Sequence, residues 1–450
     1  MMGLPTVPVL AGAVADPTEL ARLDDAYLWQ PWSPVRRSED AATIVAGDGC
    51  EVVDADGRRY LDARGGLFNA TVGYGRPEVV EAMAAQARTL MTYGLGPAST
   101  PPAVLLAARL AGLFGEPLTR TFFCHSGSEA TETAVKMARF YHALRGEPQR
   151  STVLSLADGY HGSSLAGAAL TRLPAVRAGV EPIPAGFASV ATPRCAACAA
   201  GEAHPRCVVP GPEALQEVIV RLGPGRVAAF VVEPVLGVGG IVELPPGYLA
   251  AVRRVCDEHG VLLIVDEVMT GFGRTGAWFA HQADGVVPDI VTTAKGLAAG
   301  YAPLAAVTAT QQIYQAFAAD RVLGGFRHGY TTGGHAVAAA AALAVVQVIE
   351  DNDLVTHAAQ VGRSLLQRLR AELPGPVVRE VRGRGLLAGA QAGTERQAAE
   401  IVRECRRDGV LVRPQQTVVT LAPPLVLSRE QADRVADSLA KAVRAVEARS

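Results

Sequence analysis

Lysine is scarce in this chain. Of 42 Lys and Arg residues only Lys136, Lys295 and Lys441 are lysines, so chemistry that needs a primary amine has few places to occur. Cysteine is sparse as well. Seven thiols in 450 residues, an odd number, exclude a disulfide-built scaffold. Charge of either sign is not in excess: 42 basic residues face 44 acidic ones for a net charge of -2, which leaves no basic surplus for a nucleic-acid backbone. The longest apolar run, Ala336 to Val346, is far short of the roughly 20 residues that cross a bilayer. Met1 to Pro17 has no basic stretch ahead of its apolar residues and is not read as a signal peptide. Internal repeats and low-complexity tracts are missing too. A soluble, cytoplasmic protein is expected, without nucleic-acid or membrane partners.

What is present is material for a core. Apolar residues make up 49% of the chain and charged ones 19%, which excludes disorder over most of the length. The chain exceeds the roughly 250–300 residues at which single cores stop growing. Three regions are expected: 1–75, contributing to a small domain; 76–332, a large domain; and 333–450, the rest of the small domain. Residues 40–62 read as a strand meander with D-G turns at Asp48-Gly49 and Asp56-Gly57. Helices are predicted at 77–91, 102–114, 128–144, 246–259 and 335–350, and buried strands at 121–124, 152–156, 228–232, 261–265 and 290–294. Apolar runs alternating with helices imply an α/β fold with a mostly parallel sheet covered on both faces. Beyond residue 350 the pattern reads helix, strands, helix, strands, helix: an α+β unit against which the N-terminal meander packs.

Ligands of such sheets bind beyond the carboxyl ends of the strands, and several of these ends carry unusual residues. After 121–124 come His125, Ser126, Gly127 and Ser128, opening a helix. Its free N–H groups and dipole suit a phosphate, although an ordinary N-cap is an equal reading. After 261–265 come Asp266 and Glu267; a carboxylate there either caps a turn or faces a cationic ligand nitrogen. After 290–294 comes Lys295, beside Gly296. A desolvated lysine has a lowered pKa and attacks carbonyls, whereas Lys136 and Lys441 read as solvated helix lysines. Glu233 follows 228–232, and Tyr160-His161-Gly162 offers an aromatic face. Phosphate cradle, carboxylate, amine and aromatic plate together describe a site for pyridoxal 5'-phosphate.

The ordered motifs SGSEATETAVKMAR, YHG, VVEPVLGVGG, LLIVDEVMTGFGRTG, TTAKGLAAGYAPLAA, HGYTTGGHAVAAAAALA and LAPPLVLS resemble those of class III aminotransferases, of the ω type, within fold-type I of the pyridoxal-phosphate enzymes. The resemblance runs from about Leu28 to the C-terminus. It implies a large domain with a seven-stranded-type sheet and a smaller α+β domain built from both termini. Lys295 is then the Schiff-base lysine and proton shuttle, and Asp266 the partner of the ring nitrogen. Ser126, Gly127 and Ser128 are implied at the phosphate, Tyr160 and Val268 at the ring faces, and His161 and Glu233 beside them. Thr331 is similar to a threonine that reaches the phosphate of a neighbouring subunit, which implies a homodimer with shared sites. Arg413 matches an arginine that binds a substrate carboxylate. Trp29, Phe68 and Ser163 are substrate-pocket candidates.

The implied reaction is ping-pong transfer of an amino group between an amine or ω-amino compound and a keto acid, pyruvate or 2-oxoglutarate. An oxidised amino sugar in secondary metabolism is an alternative substrate, and an aminomutase or epimerase an alternative activity. Three residues depart from the family pattern. His125 stands where Asn is usual and Thr332 where Tyr is. Val238 stands where ornithine and γ-aminobutyrate transaminases have Glu. Separately, Cys195, Cys198, His204 and Cys207 could supply four zinc ligands, although free thiols are the simpler reading.

Overall fold

The computed structural model describes residues 16–35, 42–194 and 209–449. The Cys195, Cys198, His204 and Cys207 cluster lies outside the described residues.

The buried apolar runs assemble into one sheet. Its strands are Leu118–Cys124 (β1), Thr152–Leu156 (β2), Phe187–Val190 (β3), Val227–Val232 (β4), Leu262–Asp266 (β5), Ile290–Thr293 (β6) and Ala305–Thr310 (β7). Their order is β1-β7-β6-β5-β4-β2-β3. Strand β7 is antiparallel to both neighbours, β6 and β1; the remaining pairings are parallel. Every residue of β4, β5 and β6 is buried. That is why these strands read as continuous apolar runs and not as alternating ones. Sequence reasoning missed β3 and β7. Strand β7 is AAVTAT, too poor in large β-branched and aromatic residues to be recognised as a strand. The fold is α/β, fold-type I, as expected.

The five predicted helices form at Pro77–Thr89, Pro101–Phe114, Gly127–Leu144, Tyr248–His259 and Ala336–Asp351. The last contains the longest apolar run. It packs against both Pro77–Thr89 and Pro101–Phe114, so it is apolar nearly all round because it is an interior helix. No helix among the described residues is long and apolar enough to cross a membrane.

In the C-terminal part an antiparallel sheet runs in the order Val378–Arg384, Leu387–Ala392, Val418–Leu421, Arg413–Gln415. Helices Leu354–Glu372 and Glu395–Arg407 pack on it, and Arg429–Glu447 packs on both of these helices. The last opens with a reciprocal capping box between Ser428 and Gln431. The strands expected after the first of these helices form a hairpin, Val378–Arg384 with Leu387–Ala392. Its turn holds Gly385 at φ +60°, and a Cβ there would stand 2.4 Å from the backbone of Thr275. The N-terminal meander, Ile44–Asp48, Glu51–Asp54 and Arg59–Asp62, adds the parallel strand Val410–Leu411 to its edge, so chain from both ends shares one sheet.

Arg274 joins the two parts. It is fully buried, and its Nη1 donates to the carbonyls of Leu386 (3.0 Å) and Pro423. The guanidinium thereby ties the loop after β5 to the C-terminal sheet. At the other extreme, the N-terminal helix Pro17–Tyr27 has no buried residue.

Candidate active site

Because six strands run the same way, the carboxyl ends of β1, β2, β4, β5 and β6 meet at one edge of the sheet. A cavity of about 270 Å³ opens there. Ser126, Gly127 and Ser128 line it from β1, Tyr160 and His161 from β2, and Glu233 from β4. Asp266 and Val268 line it from β5 and Lys295 from β6. Nine of the residues singled out in the sequence are thus brought together.

The helix Gly127–Leu144 shows that capping and anion binding are not rivals. The Ser126 hydroxyl caps the helix by accepting from the Glu129 N–H at 3.2 Å. The N–H groups of Gly127 and Ser128 keep no acceptor among the described residues, and both residues face the cavity. The cradle admits no added bulk. A Cβ on Gly127 would stand 2.9 Å from Val268 Cγ1, and one on Gly162, at φ +108°, 2.5 Å from Ser128 Oγ. Ser163 supports it from outside, its N–H donating to Ser128 Oγ at 3.2 Å.

Strand alternation separates the two carboxylates that follow β5. Glu267 turns away from the cavity into the core, where it bonds the backbone N–H and Nδ1 of His281, both at 2.8 Å, and the Thr270 hydroxyl. It is structural. Asp266 turns to the cavity and is 4% exposed. Its Oδ1 accepts from the Val268 N–H at 3.1 Å and its Oδ2 meets His161 Nδ1 at 2.8 Å. Burial alone would depress the His161 pKa; the bond to Asp266 and the charges of Asp266 and Glu233 outweigh it and hold the pKa above the usual imidazole value. The Y-H-G motif thus supplies Asp266 with a fixed partner, a link that the sequence did not reveal.

Glu233 accepts from the backbone N–H groups of Tyr160 at 2.9 Å and Gly237 at 3.0 Å. Burial pushes its carboxyl up to about 7, with the Asp266 charge adding to the rise and His161 and the two N–H groups opposing it. Lys295 sits in the single helical turn after β6. Its amine makes no hydrogen bond or ion pair among the described residues. Burial lowers its pKa; the nearby charges of Asp266 and Glu233 counter this, and Arg413 reinforces it.

The remaining expected residues stand apart from the lining. Arg413 holds its guanidinium 5.5 Å from the ring centroid of Phe68, a cation–π contact in place of an acidic partner. Burial lowers its pKa, and Arg64 adds to that. Thr331 is exposed. Trp29 is 93% exposed and lies outside the cavity, because the leader that carries it buries nothing against its own chain.

Two of the three departures are bonded to each other. His125 Nε2 lies 2.7 Å from the Thr332 hydroxyl, and its Nδ1 lies 3.0 Å from Glu129. His125 and Val238, the third departure, both line the cavity. Sequence reasoning missed Leu67, Asn69, Thr131, Met269 and the segment 302–304, which line the same cavity. Asn69 is a small polar residue in a glycine-rich turn, which by itself signals only a turn.

The arrangement can hold an anion at a helix N-terminus, hold a proton opposite a buried carboxylate and present a buried amine of lowered pKa to a carbonyl. The family model for class-III aminotransferases matches residues 34–443. The taurine–pyruvate aminotransferase of Rhodobacter capsulatus is 35% identical over 95% of this chain and 97% of its own. The putrescine–pyruvate aminotransferase of Pseudomonas aeruginosa is 35% identical over 88% of this chain and 89% of its own. Among solved structures, the (S)-enantioselective omega-transaminase of Thermomicrobium roseum superposes with a TM-score of 0.90 at 37% identity, covering 95% of this chain and 98% of that one.

Proposed function

The chain belongs to the class-III aminotransferases, and from that premise we propose which of its residues carry the transfer of an amino group between an amine or amino acid and a keto acid. The family is pyridoxal-phosphate-dependent, and the cavity suits that cofactor. It has a cradle that a Cβ would fill, a buried carboxylate fixed from behind and a lysine amine without a partner among the described residues. When bound, the cofactor supplies an aldehyde that condenses with primary amines and a protonated ring that withdraws electrons from the neighbouring carbon.

The chain supplies the rest. The Gly127 and Ser128 N–H groups and the Ser126 and Ser128 hydroxyls bind the phosphate, and Tyr160 and Val268 enclose the ring. Asp266 would hold the proton on the ring nitrogen, and His161 fixes the position of that carboxylate. Glu233 tunes this buried charge cluster. Lys295 Nζ, whose pKa burial lowers, would hold the cofactor through its aldehyde carbon and, when free, would serve as base and then acid for the proton on the substrate carbon. Phe68 holds Arg413 beside the substrate, where the guanidinium binds the carboxylate of the keto acid, and Ser163 borders the same side.

The donors named for the relatives, taurine and putrescine, support a donor among amines and ω-amino compounds, with pyruvate or 2-oxoglutarate as acceptor. Thr331 and Trp29 act in a homodimer, reaching the site of a second copy. The exposed apolar residues Tyr27, Leu28, Trp32, Met91 and Tyr93 support such an interface. The cytoplasm is the compartment in which the buried, unpaired thiols of Cys50, Cys124, Cys256 and Cys405 are at home.

One observation carries this reading: a Lys295 amine, without a partner among the described residues, in the same cavity as the Asp266–His161 pair and an open helix N-terminus. Borohydride reduction of the holoenzyme followed by peptide mapping should place a pyridoxyl group on Lys295. Lys295→Ala should lose that label and nearly all turnover; a variant that keeps both refutes the assignment.

A further inference from the structure

One polar side chain of the cavity has no task in the reaction described. Asn69 comes from the N-terminal segment, with Leu67, and faces the cavity that holds Lys295. Its turn is tight: the Asn69 and Ala70 N–H groups both donate to the Gly65 carbonyl, at 2.9 and 3.1 Å. The side chain folds back on that turn, so that Oδ1 accepts from the Leu67 N–H at 3.0 Å.

That bond fixes which end of the amide points where. Reversing the amide would set its NH2 against the Leu67 N–H, donor against donor. The Nδ2 end therefore faces the other way, toward Gly300, five residues after Lys295. A Cβ on Gly300 would stand 3.0 Å from Nδ2, and Gly300, at φ +81°, carries none. Nδ2 makes no hydrogen bond among the described residues. Apolar Leu67, Met269 and Leu304 line the same cavity. A fixed donor in a cavity lining discriminates among ligands by whether they bring it an acceptor.

We infer that Asn69 is a specificity-determining residue whose Nδ2 donates a hydrogen bond to an oxygen of the amino donor, so that the enzyme favours amines bearing an acceptor oxygen a few bonds from the nitrogen. The inference rests on the aminotransferase reading above and narrows its substrate class.

The test uses three amines of equal length with pyruvate as acceptor: pentylamine, 2-ethoxyethylamine and 3-methoxypropylamine. The ethers differ from pentylamine only in an oxygen that accepts and cannot donate. With the wild-type holoenzyme, kcat/KM for at least one ether amine should exceed that for pentylamine by about three- to tenfold, as one neutral hydrogen bond allows. Asn69→Asp keeps the oxygen that accepts from Leu67, and so keeps the turn, but removes the donor. It should abolish or invert that ratio, and Asn69→Leu should abolish it. Because each variant is read as a ratio between isosteres, a general loss of activity leaves the readout intact. A wild-type ratio near one, or a ratio that persists in Asn69→Asp, overturns the inference alone. Absence of turnover with all three amines overturns the donor reading of the proposed function and this inference with it.

Discussion

Asp266→Asn separates shape from charge at the centre of the site. The substitution is isosteric. The Asn oxygen can still accept from the Val268 N–H, now at 3.1 Å, and its NH2 would face His161 Nδ1, now 2.8 Å from Asp266. His161 then has to accept, with its proton on Nε2, so both contacts survive as neutral hydrogen bonds. Exchanging a charge-assisted bond for a neutral one costs about 1 kcal/mol of stability, and the fold should be retained. The functional loss is larger. Asp266 is 4% exposed, so in its proposed role its charge would act on the ring nitrogen with little screening. Removing one member of a buried ion pair costs about 3–5 kcal/mol, a slowing of about 10²- to 10⁴-fold if it falls wholly on the transition state. The assay is a stopped-flow single turnover of the cofactor-loaded enzyme with a donor amine, with cofactor affinity and thermal unfolding measured alongside. The variant should unfold within a few degrees of the wild type, still bind cofactor and react slowly. A cofactor methylated on its ring nitrogen carries the positive charge permanently and should restore part of the rate in Asp266→Asn. A variant within threefold of the wild-type rate refutes the assigned role, as does a slow variant that the methylated cofactor fails to improve.

Glu233→Gln tests the buried carboxyl through pH. With a native pKa of about 7 against an ordinary 4.5, the folded state keeps a proton that the unfolded state has lost. The resulting stability is complete below pH about 4.5 and is lost as pH rises through about 7, a swing of about 3 kcal/mol. Gln cannot titrate, so the fall in unfolding temperature of the apoprotein between pH 5 and pH 8 should be smaller in the variant; parallel curves contradict the burial argument. Arg413→Met keeps the stem against Phe68 and removes the charge. Steady-state kinetics should show KM for pyruvate raised about tenfold to a hundredfold and the constants for a carboxylate-free amine changed less than threefold. Equal effects on both substrates would show that Arg413 does not read the carboxylate.

The chemistry was legible in the sequence for a physical reason. Residues that end buried parallel strands are placed by the strand itself. Lys295, Asp266, Glu233 and the Ser126–Ser128 turn therefore stood out as polar groups following apolar runs, and the strands share one edge because a parallel sheet permits no other arrangement. Even the selection of Asp266 over Glu267 follows from strand alternation once the cavity side is known. Strand β7 stayed hidden because Ala and Thr in AAVTAT signal neither period strongly. It became a strand through pairing with β6 and β1, partners from distant parts of the chain.

Tertiary structure alone decided the contacts between residues far apart in the chain. The sequence showed Y-H-G and V-D-E as separate motifs, but only folding set His161 against Asp266, 105 residues away. His125 and Thr332, read as independent departures, turned out to be bonded across 207 positions. Arg274 carried no signal of burial, because an arginine becomes a strut only where carbonyls converge on it. Asn69 looked like a turn former and is one; what its free NH2 faces depends on Gly300, brought alongside by the fold. Backbone preferences and hydrophobic runs are local and so are written in the order of residues, whereas the partner of a buried polar group is set by long-range packing.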